Sequence, residues 1–314
     1  MSQTSIQDPL LRSVASRLEQ ARIQGLWPGG RRDLWTDALG LICLLNLHVE
    51  TEEARPLEQA EALAVEVDRV LGRRKGICMA EDGEADGQSY RSLALWLFAL
   101  ESLGRFRPPF RRRALALVRE IHSAFVQPRA GIMNRMLEDL SGPFPGAAPG
   151  TVEVFLGLGV YRLLDPEALA PEIREMEDLA GETWATLAPD QGLDLGLLLW
   201  ITHFFPTEPW ARDLRERCLA ALDARWIHPP GYFRRNLPEP LSGPRRANPL
   251  ALSNLSATIG LQAQGVWAHR VQRVHDYFLN RYSWEEAPGD ALSPVLVCAS
   301  LAPGLLLRRH RIQP

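Results

Sequence analysis

The chemistry-bearing residues of this chain gather first in MAEDGEADGQSY, residues 79–90, where Glu81, Asp82, Glu84 and Asp86 stand among glycines directly ahead of the apolar run SLALWLFAL. Gly83 and Gly87 let such a segment turn sharply. Four acids placed this way can do two different things. They can be solvated, with Asp86 capping the following helix, because a helix amino end offers unpaired N–H groups and a partial positive charge. Or they can serve glycoside hydrolysis, in which one carboxyl protonates the leaving oxygen and another activates water or attacks the anomeric carbon. An inverting enzyme holds its two carboxyls roughly 6.5 to 9.5 Å apart. Glu153, in TVEVFLGLGVYRLL, is the expected partner for Asp82, Glu84 or Asp86.

A sugar site also needs flat rings for stacking and planar polar groups for paired hydrogen bonds. Trp35, Asp37, Gln88, Tyr90, Asn134, Arg135, Tyr232, Arg235 and Asn254 are the residues expected to bind substrate, with Trp27, Phe144 and Trp284 as further aromatics nearby. Each of them alone also suits packing or a plain surface. Arg135, Arg234, Arg235, Arg245 and Arg246 would favour an anionic substrate such as a uronic acid or a phosphorylated compound.

These residues must be positioned by helices. No alternating β-branched run closed by a tight turn is present, so strands are not expected. Apolar residues instead recur at three- and four-residue spacing between Gly, Pro and Asp breaks. The pattern predicts about twelve helices, over 8–25, 33–48, 54–72, 87–104, 108–126, 150–164, 168–187, 191–205, 208–227, 250–264, 267–281 and 290–300. The even-numbered ones are apolar nearly all round, which requires protein on every side. The odd-numbered ones carry a charged, wet face.

The connections alternate as well. Those leading into the apolar helices are long, and those leading out are short, which puts the long loops at the amino ends of the apolar set. Long loops inside a compact domain usually carry function. Six hairpins with an inner and an outer ring describe an (α/α)6 toroid, expected as one domain over residues 1–314. The segments DGQSYRSLALWLFAL, ANPLALSNLSATIGLQAQGVW and SPVLVCASLAPG resemble a group of bacterial proteins related in fold to six-hairpin glycosidases and sugar epimerases. That resemblance implies an all-α toroid and a carbohydrate-active enzyme, hydrolase-like in the first instance.

Composition excludes several other classes. The formal net charge of −3 gives no basic face for a nucleic acid. No apolar stretch reaches the roughly 18 uncharged residues of a membrane span. The amino-terminal MSQTSIQDPLLRSVASRLEQ lacks the basic start and apolar core of a signal peptide, so a cytoplasmic protein is expected. Cys43, Cys78, Cys218 and Cys298 have no paired spacing, which favours buried free thiols over zinc or a redox pair. No cofactor or metal is expected, and the expected partner is a small-molecule or oligosaccharide substrate. An epimerase would call for histidines at the long-loop face, where His203, His269 and His275 are not expected to lie. A terpene-cyclase-like enzyme and a non-catalytic binding toroid are the remaining alternatives.

Overall fold

The computed structural model describes residues 8–29, 31–81, 87–127, 131–187, 189, 192–234, 248–280 and 292–307. Among them are twelve α-helices: α1 (Pro9–Ile23), α2 (Leu34–Thr51), α3 (Ala54–Val70), α4 (Tyr90–Gly104), α5 (Pro108–Phe125), α6 (Thr151–Leu164), α7 (Ala170–Thr183), α8 (Gly192–Thr202), α9 (Pro209–Asp223), α10 (Pro249–Gln264), α11 (Ala268–Asn280) and α12 (Leu292–Leu301). Each matches one of the twelve helices predicted from periodicity. α7 and α9 stop earlier than predicted. Trp184–Thr186 tightens into a 3-10 turn after α7, and Trp226–Ile227 enters a strand after α9.

Chemistry at the helix ends explains many of these boundaries. Asp8 accepts the Leu10 N–H ahead of α1, and Asn248 Oδ1 accepts those of Leu250 and Ala251 ahead of α10. Proline follows both caps, where its missing N–H costs nothing. Gly265, at φ +66°, ends α10 in the left-handed conformation that glycine adopts without penalty.

Burial follows the alternation. Every residue of α4 and of α8 is buried, whereas α5 buries only Ala114, Leu117, Val118, Ile121, His122 and Phe125, one stripe at helical spacing. α9 likewise buries Ala211, Leu214, Cys218 and Leu222.

The chain divides into two compact units. One comprises 31–41 and 58–188, and the other 1–30, 42–57 and 189–313, so that the division falls within α2. In the first unit α4 packs on α5 and α6, and α6 on α7. In the second, α10 packs on α8, α11 and α12, while α9 covers α8 and α1 covers α12. The α8–α10 crossing is made by glycines. A Cβ on Gly196 would come within 2.5 Å of the Ser256 backbone, and one on Gly260 within 2.6 Å of the Gly196 carbonyl oxygen.

Seven short strands of two or three residues, not expected from the sequence, tie down the loops. β1 (Gln88–Ser89) pairs antiparallel with β4 (Arg135–Met136). β3 (Gly131–Met133) lies between β2 (Val126–Gln127) and β5 (Pro149–Gly150). β6 (Trp226–Ile227) pairs with β7 (Tyr232–Phe233). Backbone groups beside a core must find partners, and such pairs are too short to leave a periodic signal.

Candidate functional site

α4 begins at Tyr90, after Ser89 in an extended conformation, so its capping position belongs to Ser89. The expectation that Asp86 is the N-cap is corrected by this start, which lies four residues further on. Asp82, Glu84 and Asp86 themselves lie outside the described residues, as do Arg235, Arg245, Arg246 and Trp284. Glu81 is described, and its carboxylate accepts the Arg32 backbone N–H at 2.8 Å.

Glu153 sits in the first turn of α6 and is 1% exposed. Its Oε1 accepts a hydrogen bond from Arg91 Nε at 2.6 Å, and Arg91, in the first turn of α4, is itself only 9% exposed. Glu153 Oε2 is buried and has no hydrogen-bond partner among the described residues. It lies against Gly150, the residue before α6, where any Cβ would collide with the carboxylate. Glycine at 150 is therefore what leaves the carboxylate its place.

Tyr90 lies beside this pair. Burial pushes its phenol well above the ordinary value, and the neighbouring Tyr161 phenol and Glu153 carboxylate add to the effect. Its hydroxyl is buried beside the hydroxyl of Tyr161. The ring packs 5.4 Å from that of Phe125, and its hydroxyl rests over Gly157 of α6, where a Cβ would collide with it.

The start of α2 contributes Trp35 and Asp37. Asp33 caps the helix, accepting from Thr36 N–H and Oγ1, each at 2.8 Å. Trp35 is buried, and its indole N–H has no partner among the described residues. Asp37 is 1% exposed and accepts from Arg32 Nη1 at 3.0 Å.

The planar amides expected to hold substrate are engaged with backbone. Gln88 Oε1 accepts the Ile77 N–H at 2.9 Å, while Nε2 donates to the carbonyls of Lys75 and Glu138 at 2.9 and 2.7 Å. Asn134 Oδ1 accepts the Ala148 N–H at 3.1 Å, and its carbonyl accepts the Tyr90 N–H at 3.1 Å. In the second unit Asn254 bonds both backbone groups of Phe233, at 2.7 and 3.1 Å, and the Leu250 carbonyl at 3.1 Å. These three side chains hold loop backbone in place. Arg135 lies 4.1 Å over the Phe144 ring. Tyr232, in the second unit, packs 5.1 Å from the Tyr277 ring.

The first unit thus carries Trp35, Asp37, Gln88, Tyr90, Asn134, Arg135 and Glu153 around the amino ends of α2, α4 and α6. Among their polar atoms, Trp35 Nε1 and Glu153 Oε2 are buried without hydrogen bonds among the described residues. Buried polar atoms are paired nearly everywhere in folded proteins, so such a group calls for a partner beyond the described residues. Arg91 is absent from the residues expected from sequence. Its signal was legible, since an arginine in the first turn of an otherwise apolar helix has to meet a buried counter-charge. No group of three or more His, Cys, Asp or Glu side chains among the described residues is arranged to hold a metal ion.

No family model matches the chain, and no curated protein matches it. Solved structures do. The chain is similar to a GH76 α-mannanase of Bacteroides thetaiotaomicron, with a TM-score of 0.68 and 10% identity over 96% of this chain and 95% of that one. It is similar to a D-mannose isomerase, with a TM-score of 0.60 and 11% identity over 96% and 100% of the two chains. A cellobiose 2-epimerase from Spirochaeta thermophila aligns with a TM-score of 0.59 and 14% identity over 96% and 98%. Identity this low speaks to fold alone. Together with the alternation of fully buried and one-faced helices, it shows that the chain has the (α/α)6 toroid fold shared by six-hairpin glycosidases and sugar epimerases.

Proposed function

We propose that the protein is a carbohydrate-active enzyme of glycosidase-like chemistry, acting on a sugar held at the amino ends of α2, α4 and α6. The observation that carries this reading is Glu153, a buried carboxylate with one oxygen fixed by Arg91 and the other without a hydrogen bond among the described residues. A carboxylate paired with a guanidinium suits the base or nucleophile of glycoside cleavage. The matching acid is one of Asp82, Glu84 and Asp86, in the loop that enters α4. Trp35 and Tyr90 contribute polar atoms beside aromatic surface, and Asp37, Asn134 and Arg135 complete the proposed binding set in the first unit. Gln88 acts within it through the loop that it braces. The known activities of the similar structures, which act on sugars, support the substrate class. Four cysteines, all free and buried, support a reducing, cytoplasmic setting. No helix among the described residues is long and apolar enough to cross a membrane.

A second reading uses the same carboxylate. A sugar isomerase or epimerase needs a base for the proton next to a carbonyl, and the likeness to a mannose isomerase and a cellobiose epimerase favours it. Proton NMR in D2O on α-mannan oligosaccharides, mannose and cellobiose separates the two. Hydrolysis produces new reducing ends, whereas epimerisation or isomerisation exchanges the proton at C2 for deuterium. Under either reading Glu153→Gln should lower turnover by about 100-fold or more. A Glu153→Gln protein that works at the wild-type rate would remove this residue from the chemistry. Sugar binding without turnover by the wild-type protein would favour a binding toroid.

A further inference from the structure

A cavity of about 380 Å³ lies within the second unit, bounded by the carboxyl ends of α8 and α10 and the first turn of α9. None of its lining residues belongs to the Glu153 site. They include Thr202, His203, Arg212, Arg215 and Gln264, and no carboxylate is among them.

The cavity has a built wall. Arg215 Nε donates to Gln264 Oε1 at 2.8 Å. Gln264 Nε2 in turn donates to the Leu199 carbonyl at 2.8 Å and to Thr202 Oγ1 at 3.1 Å. Thr202 Oγ1 donates to the Leu198 carbonyl at 2.7 Å. This chain of bonds occupies the last carbonyls of α8, whose partial negative charge would otherwise face the cavity. It also fixes one edge of the Arg215 guanidinium while leaving the two terminal nitrogens without a hydrogen bond or ion pair among the described residues. The Arg212 guanidinium has no such partner either.

Arg212 and Arg215 are three residues apart on α9 and therefore share a face. Two arginines on one helix face, with no acid among the residues lining the cavity, repel each other, and each presents a planar fork that fits phosphate or carboxylate oxygens. The first turn of α9 adds its own partial positive charge. The volume falls in the range of small-ligand pockets.

We propose that this cavity is a second binding site, for a small anion-bearing metabolite of monosaccharide size whose phosphate or carboxylate is held by Arg212 and Arg215. It draws on none of the residues proposed for sugar chemistry, so it stands or falls independently of Glu153.

Isothermal titration of the full chain tests it, with inorganic phosphate, mannose 6-phosphate and glucuronate as ligands and glycerol as the neutral control. At least one of the three anions should bind tenfold or more tightly than glycerol, and comparing mannose 6-phosphate with glucuronate tells phosphate from carboxylate recognition. Arg212→Gln and Arg215→Gln should each weaken that binding by about tenfold or more, while Glu153→Gln should leave it unchanged. Arg215 braces Gln264, so loss of binding on folding failure of that variant is guarded against by Arg212→Gln and Arg212→Glu, which change an exposed side chain. Anion binding no tighter than that of glycerol, binding retained in both Arg212 variants, or binding lost in Glu153→Gln would each overturn the proposal.

Discussion

Arg91 and Glu153 form a buried ion pair, and such a pair is worth less than the cost of breaking it. Removing one partner strands the other charge in a low-dielectric setting, at a cost of about 3–5 kcal/mol. Arg91→Met should therefore lower stability by about that amount, read from the midpoint of urea unfolding. Combining it with Glu153→Gln should recover part of the loss, because the stranded carboxylate is then gone. Purely additive losses would mean that the two side chains do not act as a pair. At this scale Glu153 and Tyr90 were legible as polar residues at the start of apolar helices. Arg91 was overlooked because it reads as one more arginine in an arginine-rich chain. Gln88 and Asn254 show a deeper limit. An amide at a loop–helix junction is needed equally by a ligand and by the loop's own backbone, and only coordinates reveal that Ile77, Lys75, Glu138 and Phe233 take up those bonds.

Elements were far more legible than sites. Periodicity and caps report on burial around each helix, and α4 and α8, read as apolar all round, are buried at every residue. The small strands were not legible, since two-residue ladders depend on where a loop returns, which no local pattern encodes. A cross-helix network makes the second unit sensitive to acid. His275 of α11 bonds Ser300 Oγ of α12 through Nε2 at 2.8 Å, and that hydroxyl lies 2.5 Å from Thr258 Oγ1 of α10. Burial pulls the His275 imidazole down from 6.5 to about 4. The folded form thus stays neutral where the unfolded chain already binds a proton, so the contribution is complete above the unfolded value and is lost as pH falls toward the folded one. Stability should drop by roughly 3 kcal/mol between about pH 6.5 and 4 on this account alone. His275→Gln should flatten the dependence of the urea midpoint over that window by about one proton's worth. An unchanged slope would show that His275 titrates normally.

For the molecule as a whole, alternation of helix type pointed to the six-hairpin toroid because a closed double ring is the arrangement that lets every second helix be surrounded. Whether 314 residues behave as one domain is a separate matter, since chains beyond about 250–300 residues often divide. The division into two compact units passes through α2, between Leu41 and Ile42. Both residues are fully buried, as is Leu45 one turn on, and helical hydrogen bonds run from each residue to the one four earlier, straight across the division. Unfolding either unit alone would fray that helix. We therefore expect a single cooperative transition, with the calorimetric enthalpy equal to the van't Hoff enthalpy. Two resolved heat-capacity peaks, or an intermediate that retains α8 to α12 under limited proteolysis, would show that the two units fold as separate domains.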